Sequence, residues 1–226
     1  MAHKTVISKK ALEFLKNLKD NNDRDWFEIH KPEFQTLQAD TKAFFESVGE
    51  RLEKHDAVGK PKMFRIYRDV RFSKDKRPYK THFTASFPRL GPHLRGGYYM
   101  HVQPGASFLA TGFWNPNKED LLRIRKELEM DAGEFKEAIA DKNLVDLWGN
   151  LQGEAVKTAP KGFDREHPDI ELIRHKQFLF IRNFTDGEVL SDTFINEVDR
   201  SFRAIRPFFD LMSLVLTTDL NGESVL

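Results

Sequence analysis

The order of apolar and polar side chains predicts helices at both ends of the chain and strands between them. Beyond Ser8, a suitable capping residue, apolar positions recur at helical spacing to about residue 19. A short helical turn is expected over residues 25–27. A separate helix should follow to about residue 54, with Pro32 in its first turn, where proline is accepted.

Between residues 64 and 114 the apolar period changes to two, which is the period of β-strands. The pattern predicts strands over residues 64–67, 81–87, 98–103 and 107–114. Because Pro104-Gly105 is a strong turn signal, the last two of these should form a hairpin. A fifth strand, residues 177–182, is apolar on both faces and is therefore expected near the centre of the sheet.

Helical patterns return after the hairpin and continue to the end of the chain. Asn115 or Asn117 can cap the first of these helices, and Pro207 should kink the last one near Arg203. The expected fold class is α+β, a mostly antiparallel sheet of about five strands packed with N-terminal and C-terminal helices. Since no repeat or linker is evident, residues 1–226 are expected to form a single domain.

The amino-acid composition limits the compartments and the kinds of site that are expected for this chain. The chain has 226 residues and no cysteine, which excludes disulfides, thiolate zinc sites and a cysteine nucleophile. It has no apolar run of signal-peptide length at its start, and no stretch near the ~20 apolar residues of a membrane helix. We therefore expect a soluble, cytoplasmic protein without a membrane partner, and leave its oligomeric state open.

Charge is distributed unevenly along the chain. The net charge is only +1, yet residues 64–95 contain nine Lys and Arg against two Asp, a local charge of +7 that leaves −6 elsewhere. One interpretation is a solvated, charged loop around residues 73–77. The other is a local positive field that attracts anions.

Polar side chains of the predicted strands could gather on one face and form a site. Arginine offers a fork of donors that suits phosphate or carboxylate, and histidine can transfer protons near neutral pH. A one-residue slip in pairing would move a whole strand to the other face. The candidate catalytic residues are His82 and His101, and the candidate substrate-binding residues are Arg65, Tyr67, Arg68, Lys80 and Tyr99.

Each candidate also has a structural interpretation. The histidines could bond within a half-exposed sheet, the arginines could pair with Asp69 or with acidic helices, and the tyrosines could pack across strands. The sequence lacks a P-loop, GxGxxG, GxSxG and HExxH, so no cofactor is expected. No metal is expected either, and a site made from His82, His101 and Asp69 is the one alternative.

Four motifs carry a resemblance to a known family: LKDNNDRDWF, FRIYRDVRFSKDKRPYKTHF, GGYYMHVQPG followed by GFW, and APKGFDREHP. Together they resemble the bacterial and fungal family called domain of unknown function 2461, over nearly the whole chain. The resemblance implies one conserved domain. It implies no activity and no catalytic residues, so function must be argued from the side chains.

Three functions fit these side chains. The first is binding or turnover of a small phosphate- or carboxylate-bearing molecule, with enzyme activity left open. The second is a protein-interaction or structural domain anchored by exposed Tyr98, Tyr99 and Trp114. The third, an RNA- or single-strand-binding module, is disfavoured by the near-neutral charge and the lack of RRM, KH or OB signatures, so a nucleic acid partner is not expected.

Overall fold

The structure is a computed structural model that describes residues 6–226. Along the chain, helices precede and follow the strands. Because the described chain combines helices with an antiparallel sheet, the α+β prediction is confirmed. In order, the elements are α1 (Lys9–Asp20), α2 (Arg24–Leu52), β1 (Lys62–Met63), β2 (Phe83–Pro88), β3 (Gly97–Val102), β4 (Ser107–Phe113), α3 (Lys118–Met130), α4 (Gly133–Ile139), α5 (Lys142–Trp148), α6 (Ile170–Ile173), β5 (Phe178–Phe184), α7 (Asp186–Val189), α8 (Phe194–Ala204) and α9 (Arg206–Thr217).

The five strands form one sheet in the order β1-β2-β3-β4-β5, so each strand lies beside its neighbours in sequence. In the β1–β2 pair, Lys62 lies opposite Ser86 and Met63 opposite Ala85. β3 and β4 are adjacent and joined through Pro104-Gly105, which confirms the predicted hairpin.

The first predicted strand is misplaced. Residues 64–67 do not form a strand, and β1 is instead the short segment Lys62–Met63. Antiparallel bonding continues irregularly beyond it: the Phe64 N–H donates to the Thr84 carbonyl at 2.9 Å, and Tyr67 bridges Tyr79. A regular ladder is not possible here because Pro78, in the partner segment, has no N–H to donate.

Helix α2 corrects the prediction of a turn followed by a separate helix. The Asp23 side chain accepts a hydrogen bond from the Trp26 N–H at 2.9 Å, so the helix begins at Arg24 and Pro32 lies inside it. Proline in a helix interior removes one backbone bond. Buried Phe27 and Phe34, whose ring centroids are 5.1 Å apart, anchor the helix on both sides of Pro32 and offset this loss.

Strand β5 lies at the end of the sheet, not in its centre as its apolar sequence predicted. Its phenylalanine side chains are nevertheless buried: Phe178 and Phe180 are 0% exposed. The backbone of Leu179 exchanges two hydrogen bonds with Gln152, at 2.8 and 2.9 Å. A neighbouring loop therefore covers this strand edge, which explains an apolar sequence at an end position.

The C-terminal helical region is divided where a kink was expected. α8 ends at Ala204 and α9 begins at Arg206, with Pro207 in its first turn, where the missing N–H costs nothing.

The short helix α7 was not predicted, although Thr185 and Glu188 form a capping box around its start. Such a box is visible in sequence as Thr followed three residues later by Glu.

The described residues divide into two compact units. In the first unit, residues 6–87, 99–109 and 183–200, Phe34 stacks on Phe83 and Phe44 stacks on Phe194. In the second, residues 88–98, 110–182 and 201–226, Tyr98 and Phe202 lie in the core. The single-domain organisation stays a prediction.

Within residues 6–226 the structure contains no helix with the length and apolar character needed to span a bilayer. The cytoplasmic location expected from the sequence stays a prediction.

Gly112, on β4, provides a test of how closely this strand approaches β5. Its φ is +115°, and an added Cβ would lie 2.1 Å from the Phe178 carbonyl oxygen, so backbone would have to move. We expect Gly112→Ala to lower the free energy of unfolding by about 3 kcal/mol or more. Gly105→Ala is the matched control, because Gly105 also has a positive φ but has open space around it.

Gly105→Ala should lower the free energy of unfolding by only about 1 kcal/mol, because only the backbone conformation becomes strained. Urea unfolding followed by circular dichroism measures both changes. Equal losses for the two variants would show that the close approach at Phe178 does not constrain the sheet.

Candidate functional site

Polar and aromatic side chains share one face of β3. The strand alternates as predicted: Tyr98, Met100 and Val102 are buried in the core, whereas Tyr99 and His101 are only partly covered. Gln103, the next residue in this alternation, continues the half-covered face just beyond the strand. The period of two therefore aligns a phenol, an imidazole and an amide.

The structure brings the two candidate catalytic histidines together. His82 directly precedes β2 and His101 lies on β3, and their ring centroids are 4.2 Å apart. The His101 Nε2 lies 2.8 Å from the Gln103 Oε1, and its Nδ1 lies 3.4 Å from the Tyr99 hydroxyl. A neutral imidazole satisfies both contacts if Nε2–H donates to Gln103 and Nδ1 accepts from Tyr99.

Both histidines are held in the neutral form. Burial lowers the pKa of His82 to about 4, and repulsion from His101 and Lys80 contributes to this shift. Burial also lowers the pKa of His101. At neutral pH both imidazoles can therefore accept a proton. Burial raises the pKa of Tyr99, so its hydroxyl remains a donor.

Positive side chains adjoin this histidine pair. The Lys80 ammonium lies 5.8 Å from the centre of the Phe64 ring, and its pKa is lowered by burial and by repulsion from Arg65. The Arg65 side chain is exposed and makes no hydrogen bond or ion pair within residues 6–226. In the described part of the chain, the charged groups that act on Lys80 and His82 are cations or another histidine, whereas the Asp69 carboxylate lies within electrostatic reach of Arg65.

Arg68 and Tyr67 have other partners. The Arg68 Nη1 donates to Asp75 at 2.7 Å and to the Arg77 carbonyl at 3.1 Å. Its salt bridge therefore forms with Asp75 and not with Asp69, which pairs with an arginine two residues later. Tyr67 packs beside the stacked rings of Phe27 and Tyr79, with ring centroids 6.1 and 5.5 Å away.

The seven candidates consequently separate into groups. His82, His101, Tyr99 and Lys80 lie around the histidine pair, with Arg65 at the edge of the group. The two remaining candidates, Arg68 and Tyr67, belong to the loop base and to the packing against α2. Arg68 still influences the site at a distance, because its charge helps to lower the pKa of His82.

Three residues of this face were missing from the sequence-based site. Phe108 on β4 stacks on His101 with ring centroids 4.6 Å apart, and Phe64 lies 6.4 Å from Tyr99. Gln103 bonds His101. Its position two residues after His101 was a usable signal, as was the position of Phe108 across the hairpin. Phe64 could not be found this way, because the alternation expected around it is interrupted.

A metal centre at this face is not supported. Among residues 6–226 no group of three or more His, Asp or Glu side chains is placed to hold a metal ion. Asp69, the third ligand of the alternative raised by the sequence, forms a two-pronged ion pair with Arg71 at 3.0 and 2.7 Å.

Comparison with known proteins gives a family and no activity. A family model described as a conserved hypothetical protein, DUF2461, matches residues 10–211, from the first helix to the middle of the last. No curated protein and no solved structure matches the chain. The chemistry of the site must therefore be argued from its geometry.

The neutral histidine pair can be tested by titration. We expect the His82 pKa, followed through its imidazole protons by NMR, to lie near 4. Lys80→Met should raise it, because one repelling charge is removed. Lys74→Met, which changes an exposed lysine of the neighbouring loop, should leave it unchanged. A His82 pKa above 6 in the wild type would contradict the buried, cation-flanked geometry.

The lowered pKa of His82 determines how the stability of the fold depends on pH. The folded-state pKa of His82 lies below the ordinary value of 6.5, so the unfolded chain binds more protons between these values. The free energy of unfolding should therefore fall as the pH is lowered from 6.5 towards 4. His82→Gln should flatten this slope in urea titrations, while His93→Gln, which replaces an exposed histidine, should not.

Proposed function

We propose that this chain, which belongs to the DUF2461 family of conserved hypothetical proteins, binds or converts a small molecule carrying a phosphate or carboxylate group. One observation carries the proposal: cations act on the partly buried group of Lys80, His82 and His101. Arg65 at its edge acts on Lys80 and also on Asp69, a carboxylate that already pairs with Arg71. Positive charge without a counter-charge in a region of reduced dielectric attracts an anion.

The side chains supply complementary donors for such an anion. Lys80 offers an ammonium and Arg65 a guanidinium fork, while the hydroxyl of Tyr99 stays bound to His101. A bound anion would also replace the repulsion around His82 with attraction, so it would raise the pKa of that histidine. Binding is therefore coupled to proton uptake and should strengthen as the pH falls below neutrality.

Conversion of the ligand would use the same coupling. At neutral pH His82 is unprotonated and can take a proton from a ligand hydroxyl or from water. The ligand's negative charge then stabilises the imidazolium that forms. His101, held by Gln103 and Tyr99, keeps a defined tautomer beside it. We therefore assign His82 the role of proton acceptor and His101 that of its positioning partner.

The interaction-domain alternative loses one of its three anchors. Tyr98 is 2% exposed and lies in the core, where it cannot contact a partner. Trp114 is 64% exposed and keeps that alternative testable. Tyr99 lies within the proposed anion site.

Anion binding can be measured directly. We expect millimolar inorganic phosphate to raise the melting temperature of the wild type, because a ligand that binds only the folded state stabilises it. Lys80→Gln should weaken phosphate binding by about 10-fold, the loss of one charge-assisted hydrogen bond. Phosphate should also raise the NMR-measured pKa of His82.

Lys74→Gln serves as the matched control, since Lys74 is an exposed lysine in the same basic stretch. If the control weakens binding as much as Lys80→Gln, the attraction is a diffuse field and not a site. If neither phosphate nor sulfate stabilises the wild type, the proposal fails and the interaction domain becomes the favoured function.

A further inference from the structure

Aromatic rings form a continuous row beside the proposed anion site. From Phe64 the row passes to Tyr99, Phe108, His101 and His82, with successive ring centroids 6.4, 5.9, 4.6 and 4.2 Å apart. All five rings belong to the first unit and to the partly covered face of the strands. A pair of histidines and a cation do not by themselves require such a row.

The exposure of Phe64 distinguishes this row from the hydrophobic core. Core phenylalanines of the same unit, such as Phe27, Phe44 and Phe83, are at most 2% exposed, whereas Phe64 is 37% exposed. A ring left in contact with water forgoes part of its burial energy. The Lys80 ammonium lies over one face of the Phe64 ring, and the part of the ring that stays exposed beside this cation is suited to stacking with a planar ligand.

We propose that the anion bound at this site carries a planar heterocyclic ring, so that the ligand is of the mononucleotide class. This inference rests on the proposed function and specifies its ligand. The ring would stack at Phe64, and the phosphate would contact Lys80 and His82. The two contacts lie close enough for one small molecule, because the Lys80 ammonium is 5.8 Å from the centre of the Phe64 ring.

The ion pairs of the neighbouring loop favour a single nucleotide over a strand. Arg71 is bound by Asp69, and Asp75 binds both Arg68 and Arg77. These three arginines are therefore already engaged. A strand needs a series of phosphate contacts, whereas Lys80 and Arg65 suffice for one phosphate.

Three probes separate the ring from the phosphate: adenosine 5′-monophosphate, ribose 5-phosphate and adenosine. We expect the wild type at pH 7 to bind the nucleotide about 10-fold more tightly than ribose 5-phosphate in isothermal titration calorimetry, the effect of one stacked base. Adenosine should bind more weakly than the nucleotide, because it lacks the anion. Stacking should also shift the adenine proton resonances upfield in NMR spectra.

Phe64→Leu tests the position of the stacking contact. It should remove the preference for the nucleotide and the upfield shift while leaving ribose 5-phosphate affinity unchanged. Phe72→Leu is the matched control: Phe72 lies in the neighbouring basic loop, is 97% exposed and should affect neither ligand. Circular dichroism of both variants establishes that they are folded, as the exposure of both rings leads us to expect.

The outcomes distinguish this inference from the proposed function. Equal affinities for the nucleotide and ribose 5-phosphate would overturn the ring proposal and leave the anion site standing. A nucleotide preference that persists in Phe64→Leu would also overturn it. If no phosphate compound binds, both proposals fail. If adenosine binds as tightly as the nucleotide, the ring contact stands but the anionic ligand class is wrong.

Discussion

Tyr79 is fixed by two interactions with the N-terminal helical region, and the site that follows it in sequence depends on them. Its ring stacks on Phe27 of α2 with centroids 4.0 Å apart. The Asn22 side chain, between α1 and α2, pairs with the backbone of Tyr79 on both sides, donating to its carbonyl and accepting from its N–H at 3.0 Å each. Lys80 follows directly, and His82 two residues later. Helix packing at one end of the chain thus positions the charged group on the sheet.

This arrangement explains how an unfavourable group of side chains can persist. Placing neighbouring cations and histidines in a partly buried region lowers stability, because the protonated forms repel one another and lose hydration. The cost is offset elsewhere in the same unit, where stacked phenylalanines such as Phe34 and Phe83 provide the core. Ionisable groups whose surroundings are electrostatically unfavourable, and whose pKa values are therefore shifted, concentrate at functional sites. The shifted pKa values around Lys80 and His82 are the physical basis for the proposed anion site.

The sequence predicted those features that depend on local periodicity and capping. Ser8 and Asn117 cap the helices that they were expected to begin, and β3 alternates as its residues indicate. The predicted central position of β5 depended on which elements lie beside it, and it was wrong. The apolar residues of β5 indicated burial correctly, but burial does not show whether a strand or a loop provides the cover.

The candidate site divides in the same way. The proximity of His82, His101 and Tyr99 could be predicted because they belong to, or directly precede, strands whose alternation is regular. Arg68 could not be placed from sequence, because its choice of Asp75 over Asp69 depends on the fold of the loop between them. Phe64 was not among the predicted site residues, because the ladder around it is irregular.

The pairing of Asn22 with Tyr79 also makes the site sensitive to chemical ageing. Deamidation of Asn22 would replace the side-chain amide with a carboxylate, a change of a single heavy atom. The new oxygen would face the Tyr79 carbonyl, which at present receives a hydrogen bond from the Asn22 amide. Two acceptors would then oppose each other where a donor is required. A lesion between the first two helices would thereby loosen the segment that carries Lys80 and His82, without altering any residue of the site.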